Sequence, residues 1–221
     1  MNLVVATTVE LALVTTVLLL LLATPLAWWL ARSRTGWKEI AGALSALPLV
    51  LPPTVIGFYV LVALGPASPL MTLLHPFGIR SLAFTFTGLV IGSIFYSLPF
   101  AVQPLRTAFE GIGDAALDLA ATMGAGPLDR FVTTALPLAR RGFVSAGILV
   151  FAHTIGEFGV VLMIGGAIPG RTEVLSTRIY SLVESLQFGA AHIIAGALTL
   201  FAFVTLLALL LVERRLGGVR P

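Results

Sequence analysis

Long apolar runs without charge, separated by short polar interruptions, set the plan of this chain. A membrane-crossing helix needs about 20 apolar residues. Residues 11–31 meet that length with no charge, and their helix is predicted to begin near Leu3, with Glu10 in its outer turns. Trp28 and Trp29 close the run, where amphipathic rings favour the interface. A second span is predicted at about 42–64. It contains Leu47-Pro48-Leu49-Val50-Leu51-Pro52-Pro53, whose three prolines remove backbone donors. That span is therefore predicted to be kinked or partly unwound, which a membrane tolerates only where the backbone is buried in protein or faces water. Pro48, Pro52 and Pro53 are candidates for a pathway or gate, against the plainer reading that membrane helices carry extra proline.

A third span is predicted at 84–105 and a fourth at 142–165, the latter holding Glu157. In 169–187, Val174, Leu175, Ile179, Leu182, Val183 and Leu186 recur at near-helical spacing around Arg178 and Glu184. This stretch is too polar for an easy span and reads as an interfacial or re-entrant helix. The fifth span is predicted at 190–212. The pattern thus gives an all-α, polytopic membrane helix bundle of about five transmembrane helices, one membrane domain over 1–221.

Composition agrees: 58% of residues are hydrophobic and 10% charged, against about 25% charged in soluble domains. The mean hydropathy is +1.05. No cysteine is present, which excludes disulfides, thiolate metal sites and cysteine nucleophiles. The net charge of +3 comes from bases at span ends, so nucleic acid is not an expected partner. No Lys or Arg precedes the first apolar run, which argues against a cleaved signal peptide. With five spans, Arg32, Arg34, Lys38, Arg106, Arg130, Arg140, Arg141, Arg214, Arg215 and Arg220 share one side, and Arg80, Arg171 and Arg178 the other. The excess of bases marks the cytosolic side, so the N-terminus is expected outside and the C-terminus in the cytosol.

The long interruption at 106–141 then falls in the cytosol. Asp114 to Met123 is rich in helix formers, with Asp114 and Asp118 near its start, where acids favour the helix dipole. Leu117, Ala120 and Ala121 share a small face suited to a groove on another protein. Gly124 and Gly126 stop that helix, and Pro127 suits the first turn of another through Phe131. Two short helices at an angle make a rigid knob. Leu136-Pro137 then sets the start of the fourth span, so a push on the knob reaches spans three and four. The alternative is an ordinary hairpin that merely joins them.

Asp118-Leu119-Ala120, Gly124 and Leu136-Pro137 resemble the EAA loop of ABC-importer permeases. The spacing from acid to glycine to Leu-Pro matches; Asp118 stands where Glu is usual, Leu119 for the first Ala, and Thr134 for Ile. Two further stretches, Leu47 to Gly57 and Gly156-Glu157-Phe158-Gly159 with Ile168-Pro169-Gly170, are similar to molybdate and tungstate permeases, with sulfate permeases close behind. The resemblance covers nearly the whole chain. It implies a coupling loop carried by Asp118, Leu119, Ala120, Gly124, Gly126, Leu136 and Pro137 that sits in a cleft of a cytosolic ABC ATPase. It also implies two permease copies per pathway, an extracytoplasmic substrate-binding protein and residence in a prokaryotic plasma membrane. The chain has no G-x-x-x-x-G-K-[ST] loop, so the ATPase must be a separate subunit. No cofactor or metal is expected.

Gly156, Glu157 and Gly159 join the pathway candidates. An intramembrane acid is a functional hypothesis by default, yet an ionised carboxylate would repel an oxyanion in an open pore. The favoured role for Glu157 is structural, accepting hydrogen bonds from loosened backbone beside Gly156 and Gly159 or from His153. A sulfate permease, or a self-contained proton-coupled carrier using Glu157, are the competing readings. Gly88, Gly92 and Ser93 read as close-packing positions between helices.

Overall fold

The computed structural model describes residues 1–216; Arg220, one of the bases assigned to the cytosolic side, lies outside them. The first helix, α1, spans Asn2–Arg32. Its 31 residues make it about 46 Å long, so it overshoots a hydrocarbon core of about 30 Å. The second predicted span, 42–64, is interrupted at Pro52, and the run long and apolar enough to cross is Pro53–Phe77. Helix α2 covers Trp37–Ala46, a 3₁₀ turn covers Leu47–Leu49, and α3 covers Pro53–Leu64. Pro52 between them is extended, with ψ of 136°, because neither Pro52 nor Pro53 can donate a helical bond. The short α4, Pro69–Leu74, continues the apolar run that extends over Pro53–Phe77, and its Met71 is buried with Leu64 and Ile164. Helix α5 spans Phe86–Glu110.

Next come α6, Asp114–Thr122, and a helical run α7, Pro127–Leu138, whose middle, Arg130–Ala135, is π-helical. Helix α8, Arg140–Gly156, leaves α7 at 68°. The fourth predicted span is not continuous. It stops at Gly156, Glu157 is extended at φ −67° and ψ 131°, and α9 resumes over Gly159–Gly165. At 17 residues, about 25 Å, α8 alone falls short of the core thickness. Helix α10 is Leu175–Glu184, too short at 10 residues to span, and α11 is Phe188–Leu216.

No strand occurs among the described residues. Four helical runs are long and apolar enough to cross a membrane, and the bent α7–α8 pair makes a fifth. The core is the trio α1, α5 and α8, packed through Ala23, Ala27, Ala101, Ala146 and Val150, all fully buried. Small residues let the backbones approach, the main source of association between helices in lipid. Gly142 is an instance, since a β-carbon there would run into Ala108. Gly88 and Gly92 are others, facing Leu82 and Ile164 as close-packing positions. Helix α11 lies at the periphery, only 11% buried over its most apolar stretch.

Candidate functional site

The 106–141 segment starts as the last turn of α5 and then forms the two-helix knob. Between α6 and α7, Gly124 takes a φ of 91°, which a side chain resists. The N–H groups of Gly124 and Ala125 donate to Ala121 and Ala120 carbonyls, both at 3.0 Å, and close α6. Asp118, Leu119, Gly124 and Gly126 are exposed, and Ala120 is half-buried. The face predicted to point outward is partly turned in. Leu117, with Ala116, packs on the core around Phe109 and Ile112, because the bundle end offers it an apolar seat. The outward apolar residues are Leu119, Met123 and Leu128, at 64%, 82% and 76% exposure.

One side chain fixes the inward face. Arg32, at the end of α1, donates to Asp114 Oδ1 at 2.6 Å and to the carbonyls of Ile112 at 2.5 Å and Phe109 at 3.2 Å. Both carbonyls lie where α5 ends and the chain turns into the knob, and a planar guanidinium fork can reach more than one acceptor there. Its charge lies 5.3 Å from the Trp28 ring, and Trp28 meets Phe109 and Phe131 edge-on at 5.2 and 5.1 Å. Trp28 thus serves packing beneath the knob rather than a lipid interface. Charge patterning along the chain marks Arg32 only as an orientation charge; a base one helix turn beyond a Trp is the further signal available there. Span one is therefore tied to the knob as firmly as spans three and four.

From the knob, α7 carries Leu136, half-buried, and Pro137, exposed, to the bend. Pro137 cannot donate back into the preceding turn, and the π-helical stretch before it accommodates that loss. The path continues along α8 to the break at Glu157 and Phe158. Ser176 on α10 donates to the Glu157 carbonyl at 2.5 Å, satisfying one loosened backbone group.

Here the two broken spans meet. A β-carbon on Gly159 would lie 2.9 Å from the Pro53 side chain, and one on Gly57 would lie 2.8 Å from Met163. Between them opens a cavity of about 460 Å³ lined by Pro53, Thr54, Tyr96, His153, Gly156 and Glu157 among others. Of the predicted pathway residues, Pro53, Gly156, Glu157 and Gly159 line this one cavity, whereas Pro48 lines a separate apolar groove beside α3 and Pro52 lines neither. Thr54 lies in the Leu47 to Gly57 stretch without being singled out there, and Tyr96 carries no sequence signal.

Glu157 does not play the role expected of it. Both carboxyl oxygens are buried and neither has a hydrogen-bond partner among the described residues. His153 is engaged elsewhere, its Nδ1 lying 2.9 Å from Ser97 Oγ. The extended backbone at Glu157 turns its side chain into the bundle, out of reach of both proposed donors. Glu157 thus lines the cavity with both of its carboxyl oxygens closed to solvent.

A polytopic bundle whose broken helices meet within the membrane, with a rigid handle at one end, has the architecture of a transport permease. The fold matches the crystal structure of a bacterial alginate ABC transporter in complex with alginate pentasaccharide-bound periplasmic protein, with a TM-score of 0.72 and 20% identity over 100% of this chain and 80% of that one. The profile described as "Binding-protein-dependent transport system inner membrane component" matches residues 23–218, and the chain belongs to that family. It is 54% identical over 212 residues, 96% of this chain and 94% of the relative, to the molybdenum transport system permease protein ModB of Azotobacter vinelandii. It is 36% identical to the protein of the same name in Escherichia coli strain K12, over 82% of this chain and 80% of that one. The chain is thus a transport subunit of the inner membrane, and the self-contained proton-coupled carrier has less support.

Proposed function

We propose that this chain is the permease of an ATP-driven importer for molybdate, a single membrane domain that works as a pair of copies. A separate cytosolic ABC ATPase grips the α6–α7 knob, and an extracytoplasmic binding protein delivers the anion. The substrate assignment follows the 54% identity to a molybdenum permease. The observation that carries the mechanism is the helical path from the exposed knob, bent by 68° where it is interrupted at Ala139, to the break at Glu157. Closure of two ATPases on ATP draws the two knobs together. Each knob follows directly from α5, is pinned to α1 by Arg32 and continues into α8, so its displacement reaches all three core helices. The meeting of the two breaks, held by Gly159 on Pro53, is where that displacement opens or shuts the pathway. The knob end carries Arg32, Arg34, Lys38, Arg106, Arg130, Arg140, Arg141 and Arg214, which supports placing it in the cytosol.

The test is reconstitution. This chain, its ATPase and its binding protein in liposomes should take up labelled molybdate when ATP is enclosed, and loaded binding protein should stimulate ATP hydrolysis. Replacing Gly124 with Trp should jam the knob and abolish both. A chain that neither binds the ATPase nor alters its rate would remove the coupling reading.

A further inference from the structure

The cavity at the two breaks holds an unusual set of polar groups for a membrane interior. Thr54 at the start of α3, Tyr96 on α5 and His153 on α8 all line it, and none of its lining residues is Lys or Arg. Neither hydroxyl has a partner among the described residues, since neither appears in any side-chain bond of the bundle, unlike its neighbours Ser97 and Thr154. The histidine ring is held rigidly. It stacks on Phe100 at 4.1 Å and 27°, and lies 4.9 Å from the Tyr96 ring. Its Nδ1 is occupied by Ser97 Oγ at 2.9 Å. When Ser97 donates to Nδ1, the ring proton sits on Nε2, the one polar atom of the ring left to face the cavity.

We propose that Thr54, Tyr96 and His153 form a transit site for a tetrahedral oxyanion at the meeting of the broken spans, donating hydrogen bonds from two hydroxyls and one imidazole N–H. The proposal rests on the importer reading above and names the part of the pathway that touches the anion. Three lines support the ligand class. All three groups can donate, and an oxyanion presents only acceptors. The one acid lining the cavity, Glu157, keeps both carboxyl oxygens closed to solvent. A neutral site also suits passage better than an arginine clamp would, because conduction needs a hold weak enough to release the ion. The broken backbone matters too. Helices in a membrane end inside it only where the loosened groups face protein or a polar cavity, and this cavity lies at both ends at once.

The decisive experiment measures molybdate uptake per ATP hydrolysed in proteoliposomes holding the full complex. Tyr96→Phe removes one oxygen, and His153→Phe removes the donor while retaining the stack on Phe100. Each should lower uptake per ATP about tenfold, the effect of losing one hydrogen bond to a charged group. His153→Gln, which restores an N–H donor, should recover much of it, a rescue that a purely structural histidine would not give. ATP hydrolysis stimulated by loaded binding protein reports assembly. If His153→Phe fails to assemble, Tyr96→Phe alone decides the question. Uptake per ATP equal to wild type in Tyr96→Phe and in any assembled His153→Phe overturns the transit site. Absence of molybdate uptake in the wild type, scored before any variant, overturns the importer reading instead, and takes this ligand assignment with it.

Discussion

Arg32 joins three elements that the sequence lists far apart. Its bonds to Ile112 and Phe109 are to carbonyls within the bundle end, whereas Asp114 is 76% exposed. An exposed ion pair contributes at most about 1 kcal/mol, so the carbonyl bonds dominate. Arg32→Ala should lower the unfolding free energy in detergent by about 2 kcal/mol, and Asp114→Asn by less than about 1 kcal/mol. Arg32→Lys should restore little, because a single ammonium cannot reproduce the planar fork. Equal losses in the Arg32 and Asp114 variants, read from chemical denaturation, would contradict this ranking. Gly124 offers a second contrast at the same scale. Its φ of 91° penalises any β-carbon, although nothing lies within 4 Å, while Gly126 at φ −68° carries no such penalty. Gly124→Ala should cost about 1 kcal/mol and blunt binding-protein-stimulated ATP hydrolysis; Gly126→Ala should leave both near wild type.

Among the elements, the two broken spans and the bent α7–α8 pair form the moving parts, and the glycines at their contacts set how closely they can sit. A β-carbon added at Gly57 would lie 2.8 Å from the Met163 side chain and 3.2 Å from the Val160 backbone, so Gly57→Ala must separate α3 from α9. Overpacking of this kind costs about 1–3 kcal/mol. Gly156 has open space around it, and Gly156→Ala should be tolerated in the same unfolding assay. A Gly57→Ala complex that transports normally and unfolds like wild type would show that the breaks are not in tight contact. The bend itself depends on Pro137 and the π-helical stretch before it. Pro137→Ala should allow α7 to tighten toward ordinary helix and change the angle at which α8 leaves. Lower ATP-driven uptake at normal expression is the expected result.

The whole molecule has two unlike ends. One carries the knob, Arg32 and the C-terminal part of α11, where Ser145 donates to Glu213 at 3.1 Å. The other brings Thr8 of α1 against the start of α10, where Leu175 N–H donates to Thr8 Oγ1 at 2.9 Å. The absence of cysteine permits single-cysteine mapping of these ends. An impermeant maleimide added to intact cells should label Asn2→Cys, and should reach Asp129→Cys only after the membrane is opened. The reverse pattern would invert the proposed orientation. The thin packing of α11, and an apolar groove of about 570 Å³ between α3, α4 and α5, leave wide apolar surface uncovered by this chain.

The sequence pattern by itself determined the all-α membrane class, the positions of the first, third and fifth spans and the helix–glycine–helix knob. These are local properties: run length, proline, glycine and charge act within a few residues. It also placed the weak points, since Pro52-Pro53 and the glycines around Glu157 disfavour helix wherever they occur. Only the tertiary structure decided that the two weak points meet, that the Glu157 oxygens are buried without a partner, that Leu117 faces inward, and that Arg32 holds the knob. Each depends on residues brought together from distant parts of the chain. Side-chain direction at a helix break is set by the neighbours that fill the space, and neighbours such as Pro53 for Gly159, or Ser97 for His153, are fixed by packing rather than by sequence spacing.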